Sequence, residues 1–234
     1  SETFNWTNLT PEDGHFLFGY YDRCPWDAEG GRHLALRVGQ QEHLPSPGET
    51  ADVGFVDRDD RRFVKLTDTR AWNHQQGAMT LWLTHDPGAV VFNDFEQVGD
   101  AWRPIARVME VSGKEHLRYD THIYAISEDG RWGAALDFGR IPRRGYSYAL
   151  APKPVEALPD MAGDGLFLID MYSGEKTLIV PYAELFRLQP FPWDGEGHYH
   201  WLNHATFSPD GKRLMVLFRH EEHDGARWRT DVFT

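Results

Sequence analysis

The sequence predicts an all-β fold, a β-propeller of four-stranded blades, on three observations. One turn formula occurs twice between apolar strands, as Ser127-Glu128-Asp129-Gly130 and Ser208-Pro209-Asp210-Gly211. Clusters of strand-like residues return every roughly 40–80 residues with turn residues between them. Polar side chains gather at the starts of first strands and the ends of second strands, and in a hairpin those two places are neighbours. Two sheets stacked face to face would also give repeated hairpins, so a β-sandwich is the competing architecture.

The hairpin over residues 203–220 sets the pattern. Ala205-Thr206-Phe207 reads as a short strand, Ser208 to Lys212 as a turn, and residues 213–218 as a strand apolar on both faces. The first unit opens with residues 15–21, turns near Gly30-Gly31 and continues as a strand over 33–38. A loop with Pro45, Pro47 and Gly48 leads to strands over 51–57 and 62–66. The second unit starts at Asn73-His74-Gln75-Gln76-Gly77, with strands over 78–83, 89–92, 102–111 and 115–119. The third starts at Thr121-His122, with strands over 123–126, 131–138, 165–171 and 176–180 and a long loop before Gly165. Residues 182–188 predict a short helix behind Pro181, a residue suited to a helix start. Residues 189–200 read as a Pro, Gly and Trp-rich loop. The fourth unit adds a third strand over 226–233 and no fourth.

That makes about three and a half blades, fewer than the roughly four to eight with which propellers close. The expectation is a single propeller domain over residues 1–234, incomplete at its C-terminus. It would be part of a larger, for instance seven-bladed, ring, or be completed by partner copies.

Composition narrows the partners. A formal charge of −12 and a pI near 5.4 argue against nucleic acid and anionic membrane. No apolar run approaches the ~18 residues of a membrane span. The expected location is cytoplasmic or periplasmic. The one cysteine, Cys24, excludes an intrachain disulfide framework and a multi-cysteine zinc site. Nine Trp, nine Tyr and fourteen Phe suit packing between sheets, with some rings free to face carbohydrate.

If the units fan around an axis, one face collects the polar residues. The first unit gives Tyr20, Tyr21 and Arg37, and the second gives Gln75, Gln76 and Asn93. The third gives His122, Arg140 and Tyr146, and the fourth gives Asn203, His204, Arg219 and His220. Three arginines at matching points suit an anion, since a guanidinium binds carboxylate or sulfate through two donors. Pairing with some of the 36 acidic residues is the other reading. His122 and His204 stand at matching strand starts, as bases, metal ligands or structural caps. His198-Tyr199-His200 places two imidazoles on one side of a strand. With His204 or Gln76, His200 could hold a divalent ion, manganese or calcium. His220, Glu221, Glu222 and His223 read as a solvated loop. No Gly-x-Ser-x-Gly elbow, phosphate-binding glycine loop or His-Glu-x-x-His motif occurs.

The turn Phe207-Ser208-Pro209-Asp210-Gly211-Lys212 resembles the repeat of translocation-type, peptidase-associated and other WD-like propellers. The fuller pattern looks more like the oligogalacturonate lyase-like propellers. That resemblance implies β-elimination of a uronate by a histidine and an arginine beside a divalent metal held by Gln and His. On it, His122, Arg140, Tyr146 and His204 would be catalytic. Tyr21, Arg37, Gln75, Gln76, Asn93, Asn203 and Arg219 would bind an acidic oligosaccharide or polysaccharide, and Gln76, His200 and His204 would hold the metal. A non-catalytic glycan- or protein-binding propeller, and the propeller portion of a larger hydrolase, are the alternatives.

Overall fold

The computed structural model describes residues 6–142, 146–154, 158–189, 198–222 and 228–234. Four antiparallel sheets stand in a ring, the arrangement of a β-propeller, and each is a simple meander. The first holds β1 (His15–Leu17), β2 (Arg32–Val38), β3 (Ala51–Asp57) and β4 (Phe63–Thr69). The second holds β5 (Leu81–Trp82), β6 (Ala89–Val98), β7 (Ala101–Glu110) and β8 (Glu115–Tyr119). The third holds β9 (Ala125–Ile126), β10 (Trp132–Ala135), β11 (Gly165–Asp170) and β12 (Lys176–Pro181). The fourth holds β13 (His198–Phe207), β14 (Leu214–Glu222) and β15 (Trp228–Phe233). Three full sheets and a three-stranded one match the expected count.

Strand lengths differ from expectation where backbone or side-chain polarity intervenes. The strand expected over 78–83 shrinks to Leu81–Trp82, because the chain ahead of it turns through Gly77 at φ 60° and Met79 at φ 56°. β6 instead continues past Phe92 to Val98. Asn93 and Asp94 are tolerated inside it because their backbone and side-chain polar groups find partners. Thr69 donates to the Asn93 carbonyl at 2.6 Å, and Asp94 Oδ1 accepts the Arg70 amide at 2.9 Å. Arg107 Nη1 reaches Asp94 Oδ2 at 2.9 Å and the Asp68 carbonyl at 3.2 Å. This polar knot ties the first sheet to the second. A buried pair of this kind is costly to break from one side, about 3–5 kcal/mol.

β13 begins at His198, inside the stretch expected to be loop. The sequence cue for a loop came from residues 190–197, which lie outside the described residues. The helix α1 (Tyr182–Leu188) forms as expected behind Pro181, whose φ of −71° suits the start. It buries Tyr182 and Leu185 against the fourth sheet.

The core lies between sheets. The largest cluster joins the second, third and fourth sheets through Phe95, Tyr124, Phe138, Tyr148, Tyr182, Trp201 and Phe218. Phe138 and Tyr148 stack 4.5 Å apart at 9°. Burying each such ring contributes roughly 1.5–3 kcal/mol. No helix among the described residues is long and apolar enough to cross a membrane.

Candidate functional site

The innermost strands bring a set of polar groups together near the middle of the ring. Tyr124 is the hub. Its hydroxyl donates to Asn203 Oδ1 at 2.7 Å and accepts from Gln76 Nε2 at 2.9 Å, and its carbonyl accepts from the Arg23 guanidinium. Asn203 Oδ1 also accepts the His204 amide at 2.9 Å. Asn93 is a second hub: its Nδ2 donates to the Ile123 carbonyl and the Tyr148 hydroxyl, each at 3.0 Å, and its Oδ1 accepts the Ile123 amide at 2.8 Å. Burial pushes the Tyr124 hydroxyl up to about 12. These groups lock one another into a buried scaffold, except that Gln76 Oε1 takes no hydrogen bond.

His204 differs. The pairing of β13 with β14 is irregular between Asn203 and Thr206, and there His204 takes φ 51°. A non-glycine residue in the left-handed region costs of order 1–3 kcal/mol and persists only where its surroundings impose it. Its ring lies 5.3 Å from that of Tyr20 and stays half-buried. Burial first, then the neighbouring charge of Arg219, holds its pKa below the usual imidazole value. At neutral pH it is an uncharged proton acceptor beside a guanidinium. Tyr20 lies 4.2 Å, ring to ring, from Tyr21, which is 79% exposed. Gln75 Nε2 donates to the Tyr20 hydroxyl at 3.5 Å. Burial raises the Tyr20 pKa, so the phenol keeps its proton.

The other expected site residues lie elsewhere. His122 is 3% exposed, its Nε2 donating to the Asp94 carbonyl at 2.9 Å, inside a box of Phe95, Phe138 and Tyr148. Burial drives its pKa down to about 3. Arg140 is buried too: Nε donates to the His200 carbonyl at 2.9 Å and the guanidinium lies 4.8 Å over the Tyr199 ring. Arg37 forms an ion pair with Asp52 at 2.8 Å and covers Phe63. Tyr146 is 8% exposed and belongs to the main core. The three arginines expected at one mouth therefore have three separate surroundings. His220 is buried and pairs with Asp231 at 3.0 Å rather than standing in a solvated loop. His223, assigned to the same loop, lies outside the described residues.

The metal set Gln76, His200 and His204 divides. Gln76 and His204 both adjoin Tyr124, and Gln76 Oε1 is buried without a hydrogen-bond partner. His200 stands four residues from His204 along β13, roughly 13 Å at strand spacing. It packs instead on Phe186, Phe218 and His220. Among the described residues no group of three or more His, Cys, Asp or Glu could hold a metal ion. Gln76 Oε1 and His204 alone do not make a divalent-metal donor set.

Sequence reasoning passed over Tyr124 and Arg23. The signal was available for Tyr124, which follows His122 at the period of a strand, yet an aromatic residue there reads as core. Arg23 sits in an irregular segment with no pattern to mark it.

No family model matches the sequence, and no curated relative matches it. Among solved structures, the chain is similar to an oligogalacturonate lyase in complex with manganese. That match has 11% identity and a TM-score of 0.44, over 96% of this chain and 68% of the other. It is also similar to an oligogalacturonate lyase from Vibrio parahaemolyticus, with 13% identity and a TM-score of 0.48, over 97% of this chain and 68% of that one.

Proposed function

We propose that the chain is a carbohydrate-active propeller that cleaves an acidic, uronate-containing glycan by β-elimination, with His204 as the base. The observation that carries this is His204 itself: strained, half-open, uncharged, and next to Arg219 and Tyr20. In the reaction, the His204 imidazole takes the proton α to the uronate carboxylate. The electron pair left behind forms the carbon–carbon double bond as the bond from the β carbon to the glycosidic oxygen breaks. The Tyr20 hydroxyl gives its proton to the departing oxygen. Negative charge grows on the carboxylate during the first step. Arg219, whose charge acts on His204, would meet it, an interaction of order ~3 kcal/mol. Tyr21 offers an exposed ring for the next sugar. No step runs through a metal, in keeping with the incomplete donor set.

The test is ultraviolet absorbance of the conjugated, unsaturated product with polygalacturonate and other uronate polymers. Absorbance that grows with wild-type protein and not with His204→Ala supports the reading. A second reading, binding without cleavage, is favoured by the Tyr20–Tyr21 platform, which would hold a sugar without any chemistry. Uronate binding with no unsaturated product would select it.

A further inference from the structure

A cavity of about 400 Å³ opens where the loop after β1 meets the innermost strands β5, β9 and β13. Neither His204 nor Tyr20 is among its walls. Three aromatic side chains line it: Trp26, Trp82 and Phe207. Two of them are held in place. The Trp82 indole N–H donates to the Pro25 carbonyl at 2.9 Å, and the Trp26 ring stands edge-on to His33 at 4.9 Å. Polar groups share the same walls. The Arg23 side chain is only 6% exposed, and burial lowers its pKa against the pull of Asp22. Its Nη2 donates to the Tyr124 carbonyl. Among the described residues Nε and Nη1 make no hydrogen bond, and of the two only Nε is sealed from solvent. Asp22 lies 3.7 Å from Nε, an ion pair beyond hydrogen-bond reach, and its carboxylate accepts no hydrogen bond among the described residues. The Glu128 carboxylate, also in the wall, is likewise uncommitted among them.

We propose that this cavity binds a neutral pyranose sugar, at a site separate from His204 and independent of elimination there. Its volume falls in the range of ligand pockets, roughly 300–1,000 Å³. A sugar hydroxyl is donor and acceptor at once. It can take a hydrogen bond from Arg23 Nη1 and give one to Asp22 or Glu128, so each uncommitted group gains the partner that it lacks. Hydrogen bonds to charged groups are the strong ones. The apolar C–H face of the ring matches the indole walls. Because both indoles are already fixed, little freedom is lost there on binding. Charge selects against a uronate. The walls carry Asp22 and Glu128 against Arg23 alone, so one negative charge stands in excess and repels a carboxylate. A purely apolar ligand would leave the guanidinium and the carboxylates dry and unpaired.

The experiment titrates the nitrogen-labelled full chain and reads the indole N–H resonances of Trp26 and Trp82, assigned from Trp26→Phe and Trp82→Phe. The neutral probes are the methyl glycosides of galactose, glucose and mannose, and the charged probes are the corresponding uronides. At least one neutral probe should move both resonances saturably. Its uronide should bind there at least about threefold more weakly. Arg23→Met should weaken the neutral probe by about tenfold or more. Trp26→Ala, read at Trp82, should weaken it by about fivefold and leave uronate elimination unchanged. The proposal is overturned if no neutral probe moves the two indoles, if the uronide binds there as tightly, or if Arg23→Met binds as the wild type does. Should Arg23→Met fail to fold, Trp26→Ala decides, and an unchanged affinity in that variant overturns the proposal as well. Ultraviolet absorbance reads elimination on the same samples, so a failure at His204 and a failure at this cavity are told apart.

Discussion

His122 and His204 carry the same side chain, stand shortly before the same kind of turn, and end in opposite states. One is sealed among aromatic rings with its Nε2 spent on a carbonyl; the other is strained, half-open and beside a guanidinium. The turns explain why. His122 lies five residues before Ser127, and His204 lies four before Ser208. Counted from the turn, the partner of His122 is Asn203, and both are buried, at 3% and 1%. A shift of one residue in a strand exchanges the two faces. The same residue type is thereby sealed scaffold in one sheet and a half-buried side chain on a strained backbone in another.

The sharpest way to break this comparison is a pair of alanine variants. His204→Ala should lower uronate elimination by roughly 10²–10⁴-fold, the share of a general base. His122→Ala should leave the rate per folded molecule within a few-fold. It should cost about 2–4 kcal/mol in urea unfolding, through lost packing and a bereft carbonyl. If the two effects exchange places, the assignment of roles is wrong.

Acid titration sharpens the contrast. His122 has a folded pKa of about 3, against roughly 6.5 when unfolded. It therefore gains its proton only on unfolding between those values. Its contribution is complete above the unfolded pKa and is lost as the pH falls toward 3, at up to about 1.4 kcal/mol per pH unit. His200, also at about 3, adds in the same direction. Asp164 opposes them: with its folded pKa raised to about 6, it favours the fold on the acid side and loses that effect as the pH rises through 6. Denaturant curves of His122→Gln across this range should show a shallower acid limb than the wild type.

A smaller effect has the opposite sign for stability and activity. His204→Gly should relieve the left-handed backbone and raise stability by about 0.5–1 kcal/mol while abolishing elimination. Thermal unfolding reads the first and absorbance the second; destabilisation would mean that φ 51° is not a strained state. Smallest of all, Arg37→Met should change stability by under about 1 kcal/mol, because its ion pair with Asp52 is half-exposed. A loss of uronate affinity in that variant would return Arg37 to the site.

What the sequence made legible were the turns and the strands that carry their own period. β3, β8 and α1 appear at the expected bounds, because Gly, Pro and charged turns punctuate both ends. The inner strands were misjudged, since their lengths depend on neighbours: β6 runs through Asn93 and Asp94 only because Thr69, Arg70 and Arg107 satisfy them across the sheet boundary. The site was legible as a list of residue types and not as an arrangement. Arg37, Arg140 and Arg219 look equivalent along the chain, while tertiary partners for Arg37 and Arg140 set them apart. The perturbed Asp164 was invisible for a different reason: an Asp before a Gly reads as a turn, and only its partial burial makes it unusual.

The repeated turn has a consequence for how the molecule assembles. In both copies the serine hydroxyl donates to the aspartate at 2.6 Å and accepts the amide five positions on, at 2.9 and 3.0 Å. The glycines sit at φ 70° and 67°. Every bond of this clasp is local, so it can close in the microseconds typical of hairpins, before any sheet has found its neighbour. Each clasp then presents a pre-aligned pair of strands, and the slow search left to the chain is the docking of one sheet on the next.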